Sequence, residues 1–135
     1  EEQFIAVFGD HNQPTYKEAL DSYYANGPAE NWANQFISAY ASMHPWEDFA
    51  ETFASYLDLV SVLETATNMG LGEPFDPQST EFDVMLNRYQ RFGVVLNELN
   101  RDMGLKDLVP EVFVPAVSNK MQYAHELVRK NARRD

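Results

Sequence analysis

Cysteine is absent from this chain, so it has neither a disulfide framework nor a thiolate metal site. Histidine is scarce. None of His11, His44 and His125 is followed four residues later by another, so no His-Glu-x-x-His segment is present. No apolar run approaches the ~18 residues that a membrane span needs, and no signal peptide is visible. Positive charge is also short. Ten basic residues face 21 acidic ones, a formal charge of −11. A surface that acidic repels phosphate backbones and anionic lipid, which argues against nucleic acid and membranes as partners. A chain without cysteine, signal or span suits a reducing compartment, and the expected location is cytoplasmic. Period-two alternation, internal repeats, phosphate-cradling glycine loops and Ser/His/Asp patterns are all missing.

Apolar residues are plentiful, at 44% of 135, and nine Phe, seven Tyr and two Trp carry much of that content. Such a chain can bury a core, and its length suits one domain. The opening Glu1-Glu-Gln-Phe-Ile-Ala-Val-Phe8 reads as a helix already under way. With no initiator Met, the chain is expected to be the C-terminal part of a longer protein.

The periodicity is helical throughout. Thr15 with Glu18 three residues on forms a capping box, and Gly27-Pro28 ends the helix that it opens. Trp32, Phe36, Ile37 and Tyr40 predict a second helix over about 30–43. Pro45 suits a first helical turn and predicts a long helix over 45–68. Its apolar stripe is Trp46, Phe49, Ala50, Phe53, Tyr56, Leu57, Val60 and Leu63. The twin prolines of 73–78 mark a loop. A further helix is expected from about Ser79 to Met103, with Phe82, Met85, Leu86, Tyr89, Phe92, Leu96 and Leu99 buried. A last helix should start near Pro115 and run into Arg129, Lys130, Arg133 and Arg134, charges that favour a helix C-terminus. The expected architecture is all-α, a single domain of about five helices over 1–135, with the 45–68 and 79–103 helices packed as its core.

Glu47 and Glu51 stand one turn apart, on one face of the 45–68 helix. The helix dipole alone favours acids there, so both can be ordinary surface residues. Alternatively, Glu47 is a metal ligand and Glu51 orients the site, because zinc accepts carboxylate oxygen and a peptidase zinc is commonly held by two His and one Glu. His44 is a backbone-bonding turn residue or an active-site residue that bonds substrate or Glu47. His125 reads as a packing or surface histidine, and His11 as an exposed turn residue. Asp21, Glu64, Glu98 and Asp102 flank apolar stripes and read as solvated or ion-paired, with Arg88, Arg91 and Arg101 as available partners.

The segment Phe36-Ile-Ser-Ala-Tyr-Ala-Ser-Met-His-Pro-Trp-Glu-Asp-Phe-Ala-Glu-Thr-Phe-Ala-Ser-Tyr-Leu57, continuing to Leu63-Glu-Thr-Ala66, resembles the C-terminal half of a bacterial zinc-binding metallopeptidase family. Phe8-Gly-Asp10 with Tyr16 and Ala19-Leu20, Leu96-Asn-Glu-Leu-Asn-Arg-Asp-Met-Gly104, Pro115-Ala-Val117 and His125 extend the resemblance over nearly the whole chain. Trp46-Glu-Asp-Phe-Ala-Glu51 also looks like the segment of the glutamate zincins whose first Glu is the third zinc ligand. The resemblance implies zinc as cofactor and a peptide as substrate in the intact parent. Two histidines and Glu47 would hold the metal, Glu51 and His44 would support it, and the Glu of the absent motif would activate water. The reverse assignment of Glu47 and Glu51 stays open. This chain supplies one ligand of three and is expected to be inactive and zinc-free alone. Relatives often carry His at the positions of Ser55 and Asp58. That departure raises the alternative of a non-catalytic helical interaction module, and an apolar face left exposed could support a homodimer.

Overall fold

The structure, a computed structural model, describes residues 1–132. Among the described residues the fold is all-α, with no strand. Its helices are α1 (Glu2–Phe8), α2 (Tyr16–Asn26), α3 (Pro45–Asn68), α4 (Phe82–Asp102) and α5 (Pro115–Ala132). None is long and apolar enough to cross a membrane. The expected basic residues Arg133 and Arg134 lie outside the described residues. The described residues divide into two compact units, Glu1–Tyr56 with Val114–Ala124, and Leu57–Phe113 with residues 125–132. Both α3 and α5 contribute a stretch to each.

In the first unit, the expected capping box opens α2. The Thr15 hydroxyl accepts the Glu18 N–H, and the Glu18 carboxylate accepts the Thr15 N–H at 3.0 Å. Gly27, at φ 83°, ends the helix in a conformation that costs glycine little. An aromatic cluster forms the floor of this unit. Phe8 is buried and meets Phe49 edge-on at 5.5 Å and Tyr123 at 5.6 Å.

The helix expected over 30–43 does not form. Two short 3-10 turns, Trp32–Asn34 and Tyr40–Met43, take its place. Asn31 sits in the left-handed region at φ 55°. Serine hydroxyls also compete for the backbone: Ser38 accepts the Ala41 N–H at 3.0 Å, and Ser42 donates to the Ala39 carbonyl at 2.7 Å. Such local bonds offer the chain an alternative to the helical ladder.

The expected stripe of α3 is also rotated. Trp46 and Leu57 are exposed, whereas Asp48, Thr52, Tyr56, Leu59, Leu63 and Ala66 are buried. The N-terminal half of the helix therefore turns two polar residues, Asp48 and Thr52, inward.

In the second unit, α4 starts later than expected. The Ser79 and Thr80 side chains close a turn on Asp76 instead of capping the helix. Its buried line is Phe82, Met85, Tyr89, Gly93 and Asn97, while Leu99 is exposed. Asn97 is fully buried and holds the irregular segment after the helix. Its carbonyl accepts the Leu108 and Val109 N–H groups at 2.8 and 3.2 Å, and its amide donates to the Val109 carbonyl at 2.8 Å and to Glu111 at 3.2 Å. Gly93 makes room for this segment, since a Cβ there would stand 2.9 Å from a Val109 methyl. His125 is a packing residue, as one of its readings had it. It is buried, with Nε2 3.0 Å from the Thr80 carbonyl and the Phe82 ring 5.9 Å away. Arg129 donates to Glu81 at 3.0 Å and to the Gln78 carbonyl at 3.2 Å.

Asn97→Ala removes the acceptor of the part-buried Leu108 and Val109 N–H groups and a donor to the Val109 carbonyl, so urea unfolding is expected to show a loss of about 1–3 kcal/mol. A loss under about 1 kcal/mol would mean that water replaces the amide.

His125 supplies a pH dependence. Burial pushes its pKa below the usual 6.5, with Arg129 lowering it further and Thr80, Glu81 and Glu126 opposing. The unfolded chain therefore holds more protons between the folded pKa and 6.5. The contribution is full above that pH and is lost as pH falls through the window. Melting temperature should fall on acidification from neutrality, and His125→Gln should flatten the slope. Parallel slopes for the two proteins would remove His125 as the cause.

Candidate functional site

His44 marks the start of α3. Its extended backbone suits a residue before proline. Its Nδ1 accepts the Trp46 N–H at 3.1 Å, which serves as a helix cap, and its carbonyl accepts the Asp48 N–H at 3.0 Å. The backbone-bonding reading of His44 is thus realised at one ring nitrogen. With Nδ1 an acceptor, the proton of the neutral ring lies on Nε2, a buried atom with no hydrogen-bond partner among the described residues.

The four-residue step brings Glu47 and Glu51 to one side of α3, and each meets a hydroxyl from elsewhere in the first unit. Tyr16, the first residue of α2, donates to Glu47 Oε1 at 2.7 Å. Ser38 donates to Glu51 Oε2 at 2.9 Å. The Glu47 carboxylate holds the Tyr16 phenol well above its usual range, with the Tyr40 phenol and burial adding to the effect. Around Tyr16 stand His44, edge-on at 5.3 Å, and Trp46, tilted at 6.2 Å. His11, expected to be an exposed turn residue, instead stacks on Trp46 at 5.8 Å, and its Nδ1 is buried with no hydrogen-bond partner among the described residues. The turn carries it back against the aromatic cluster, where the Phe4 ring meets it edge-on at 5.6 Å.

Asp48, between the two glutamates, turns the other way. It is fully buried, and Oδ2 lies 2.6 Å from Lys120 Nζ. The Thr52 hydroxyl is 3.5 Å from Oδ1. The Lys120 ammonium also donates to the Gln35 carbonyl at 2.8 Å and stands 4.3 Å from the Phe36 ring centroid. Burial pushes the Asp48 carboxyl up, and Lys120 opposes that shift. Periodicity reasoning passed over Asp48 and Lys120 because charged residues are seldom core candidates. A signal was present, since Asp48, Thr52, Tyr56, Leu59, Leu63 and Ala66 recur at helical spacing.

Among the described residues, no group of three or more His, Asp or Glu could by itself hold a metal ion. The sequence model of a family described as a putative zinc-binding metallo-peptidase matches residues 1–127. Uncharacterized proteins of Mycobacterium bovis and Mycobacterium tuberculosis are 39% identical to the chain over 132 residues. The match covers 93% of this chain and 38% of each relative, so the chain spans well under half of their length. No solved structure matches.

Lys120→Met leaves Asp48 buried without its counterion and is expected to cost about 3–5 kcal/mol in chemical unfolding. Adding Asp48→Asn should recover much of that loss. A double variant as unstable as the single one would shift the role of the ammonium to the Gln35 carbonyl.

Proposed function

Because the chain belongs to the zinc-binding metallopeptidase family, matched over residues 1–127, we propose that it is the helical C-terminal part of a zinc-dependent peptidase and contributes Glu47 as the carboxylate ligand. The observation that carries this reading is the state of Glu47. It is half-buried at the start of α3, one oxygen is held by Tyr16, and no hydrogen bond among the described residues involves the other. The donor set fits one ligand of a shared centre, not a complete site. Histidines from the rest of the parent would complete it. The chemistry that zinc supplies when bound is Lewis-acid activation for peptide-bond hydrolysis. Within this chain, Glu47 offers the oxygen and Glu51 supports the same face from one turn away.

A second reading, a non-catalytic interaction module, rests on the second unit. There, Leu63, Leu71, Phe75, Val84, Phe92 and Val95 are among the residues lining an open apolar cavity of about 880 Å³. A second copy of the chain is one occupant of that face, and a strictly monomeric size-exclusion profile across concentrations would count against it.

The deciding measurement is zinc content and affinity of the longest natural protein containing this chain. Stoichiometric zinc that Glu47→Ala abolishes supports the peptidase reading. Glu51→Gln should weaken affinity by only about 10–100-fold, as for an outer-shell partner. A larger effect at Glu51 than at Glu47 would exchange their roles, and no zinc in any version would leave the interaction module standing.

A further inference from the structure

We infer that Tyr16 is the positioning residue of the Glu47 carboxylate: its phenol fixes Oε1 and thereby selects Oε2 as the oxygen offered to a metal. This inference rests on the reading of Glu47 as a ligand. A glutamate side chain has three rotatable bonds, and freezing it on binding costs conformational entropy. A donor that already holds one oxygen removes part of that cost and sets the orientation of the other. Ligating carboxylates are commonly hydrogen-bonded in this way, and loss of the outer partner typically weakens metal affinity about 10–100-fold.

The placement of Tyr16 suits the role. It is the first residue of α2, immediately after the Thr15 cap, so the reciprocal Thr15–Glu18 bonds fix its backbone. Its ring is confined between the edge contact to His44 and the tilted contact to Trp46. Those two residues flank Pro45 at the start of α3, the same turn that carries Glu47. Donor and acceptor are therefore both set by helix starts and meet at 2.7 Å across 31 residues of sequence. A phenol is also a suitable donor for the task. It is neutral, so it orients the carboxylate without cancelling the charge that a cation would meet. Phenylalanine would keep the ring contacts and lose the hydroxyl, with its bond to Glu47 and its contact to the Tyr40 phenol.

The test uses the longest natural protein that contains this chain, in four forms: wild type, Tyr16→Phe, Glu47→Ala and the double variant. Zinc affinity is read by competition with a chromophoric chelator, and the ligand field by the visible spectrum of the cobalt(II)-loaded protein. The expected result is about a 10–100-fold weaker affinity in Tyr16→Phe with a shifted cobalt band. In the Glu47→Ala background, Tyr16→Phe should add nothing, as expected when one residue acts through the other. Wild-type affinity and spectrum in Tyr16→Phe, beside a loss in Glu47→Ala, would overturn the inference and spare the ligand reading. An unchanged affinity in Glu47→Ala would overturn both. Should Tyr16→Phe fold poorly, Glu47→Gln in the wild-type background gives a second arm. It keeps a hydrogen-bond acceptor for Tyr16, so its melting temperature should stay closer to wild type than that of Glu47→Ala. Equal losses in the two Glu47 variants would deny the bond any role.

Discussion

The contact between Asp48 and Lys120 decides how the N-terminal half of α3 is turned. Successive helical residues are rotated by about 100°. Once Asp48 is directed at a buried ammonium 2.6 Å away, every neighbour on the helix has its direction set. Phe49 goes to one flank, where Phe4 and Phe8 meet it at 5.7 and 5.5 Å. Glu47 and Glu51 fall together on the other flank, within about 40° of each other, where Tyr16 and Ser38 wait with their hydroxyls. A rotation that buried Trp46 and Ala50, as hydropathy alone suggests, would carry both glutamates away from those donors.

Such a pair is an expensive way to orient a helix, because taking two charges out of water costs several kcal/mol per ion and is repaid only with good geometry and further bonds. Lys120 has both. Its ammonium serves the Asp48 carboxylate, the Gln35 carbonyl and the face of Phe36 at once. A compact charge with three rotatable donors can reach three such partners, whereas a planar guanidinium presents a fixed fork. The same ammonium also ties down the non-helical stretch around Gln35. The segment that lost its expected helix is thus held by α5 and not by its own ladder.

What could be read in advance follows a physical division. Local rules worked where the backbone satisfies itself locally. The Thr15–Glu18 box, the Gly27 stop and the Pro45 start all mark helix ends within one or two residues of where they fall. The family resemblance, carried by His44-Pro-Trp-Glu-Asp-Phe-Ala-Glu51, also stands. Two things escaped. The stretch 30–43 has helical periodicity, but Ser38, Ser42 and a left-handed Asn31 divert its backbone into 3-10 turns, and periodicity is blind to side chains that compete for the ladder. The inward face of α3 escaped because its partner, Lys120, lies far along the chain. A buried charge is legible only when its counterion is known, and one sequence does not name that pairing. Tyr16 was visible only as one residue of the family resemblance, since a phenol declares its hydroxyl partner only in three dimensions.

The three acids at the head of α3 end in two different electrostatic states. Asp48 meets a cation, so its charge is spent inside the first unit. Glu47 and Glu51 meet neutral hydroxyls instead, which orient a carboxylate while leaving its charge in place. Bonds from hydroxyls to carboxylates are themselves charge-assisted, so the difference lies in the cation: only the Lys120 ammonium cancels the charge of the acid it meets. In a chain already carrying −11, two uncancelled carboxylates within one helical turn repel each other and destabilise the helix slightly. The helix dipole offsets part of that cost, and a positive charge approaching the same face would offset the rest. The contrast within five residues of sequence, one acid neutralised and two merely oriented, is the physical reason to seek the metal at Glu47 and not at Asp48.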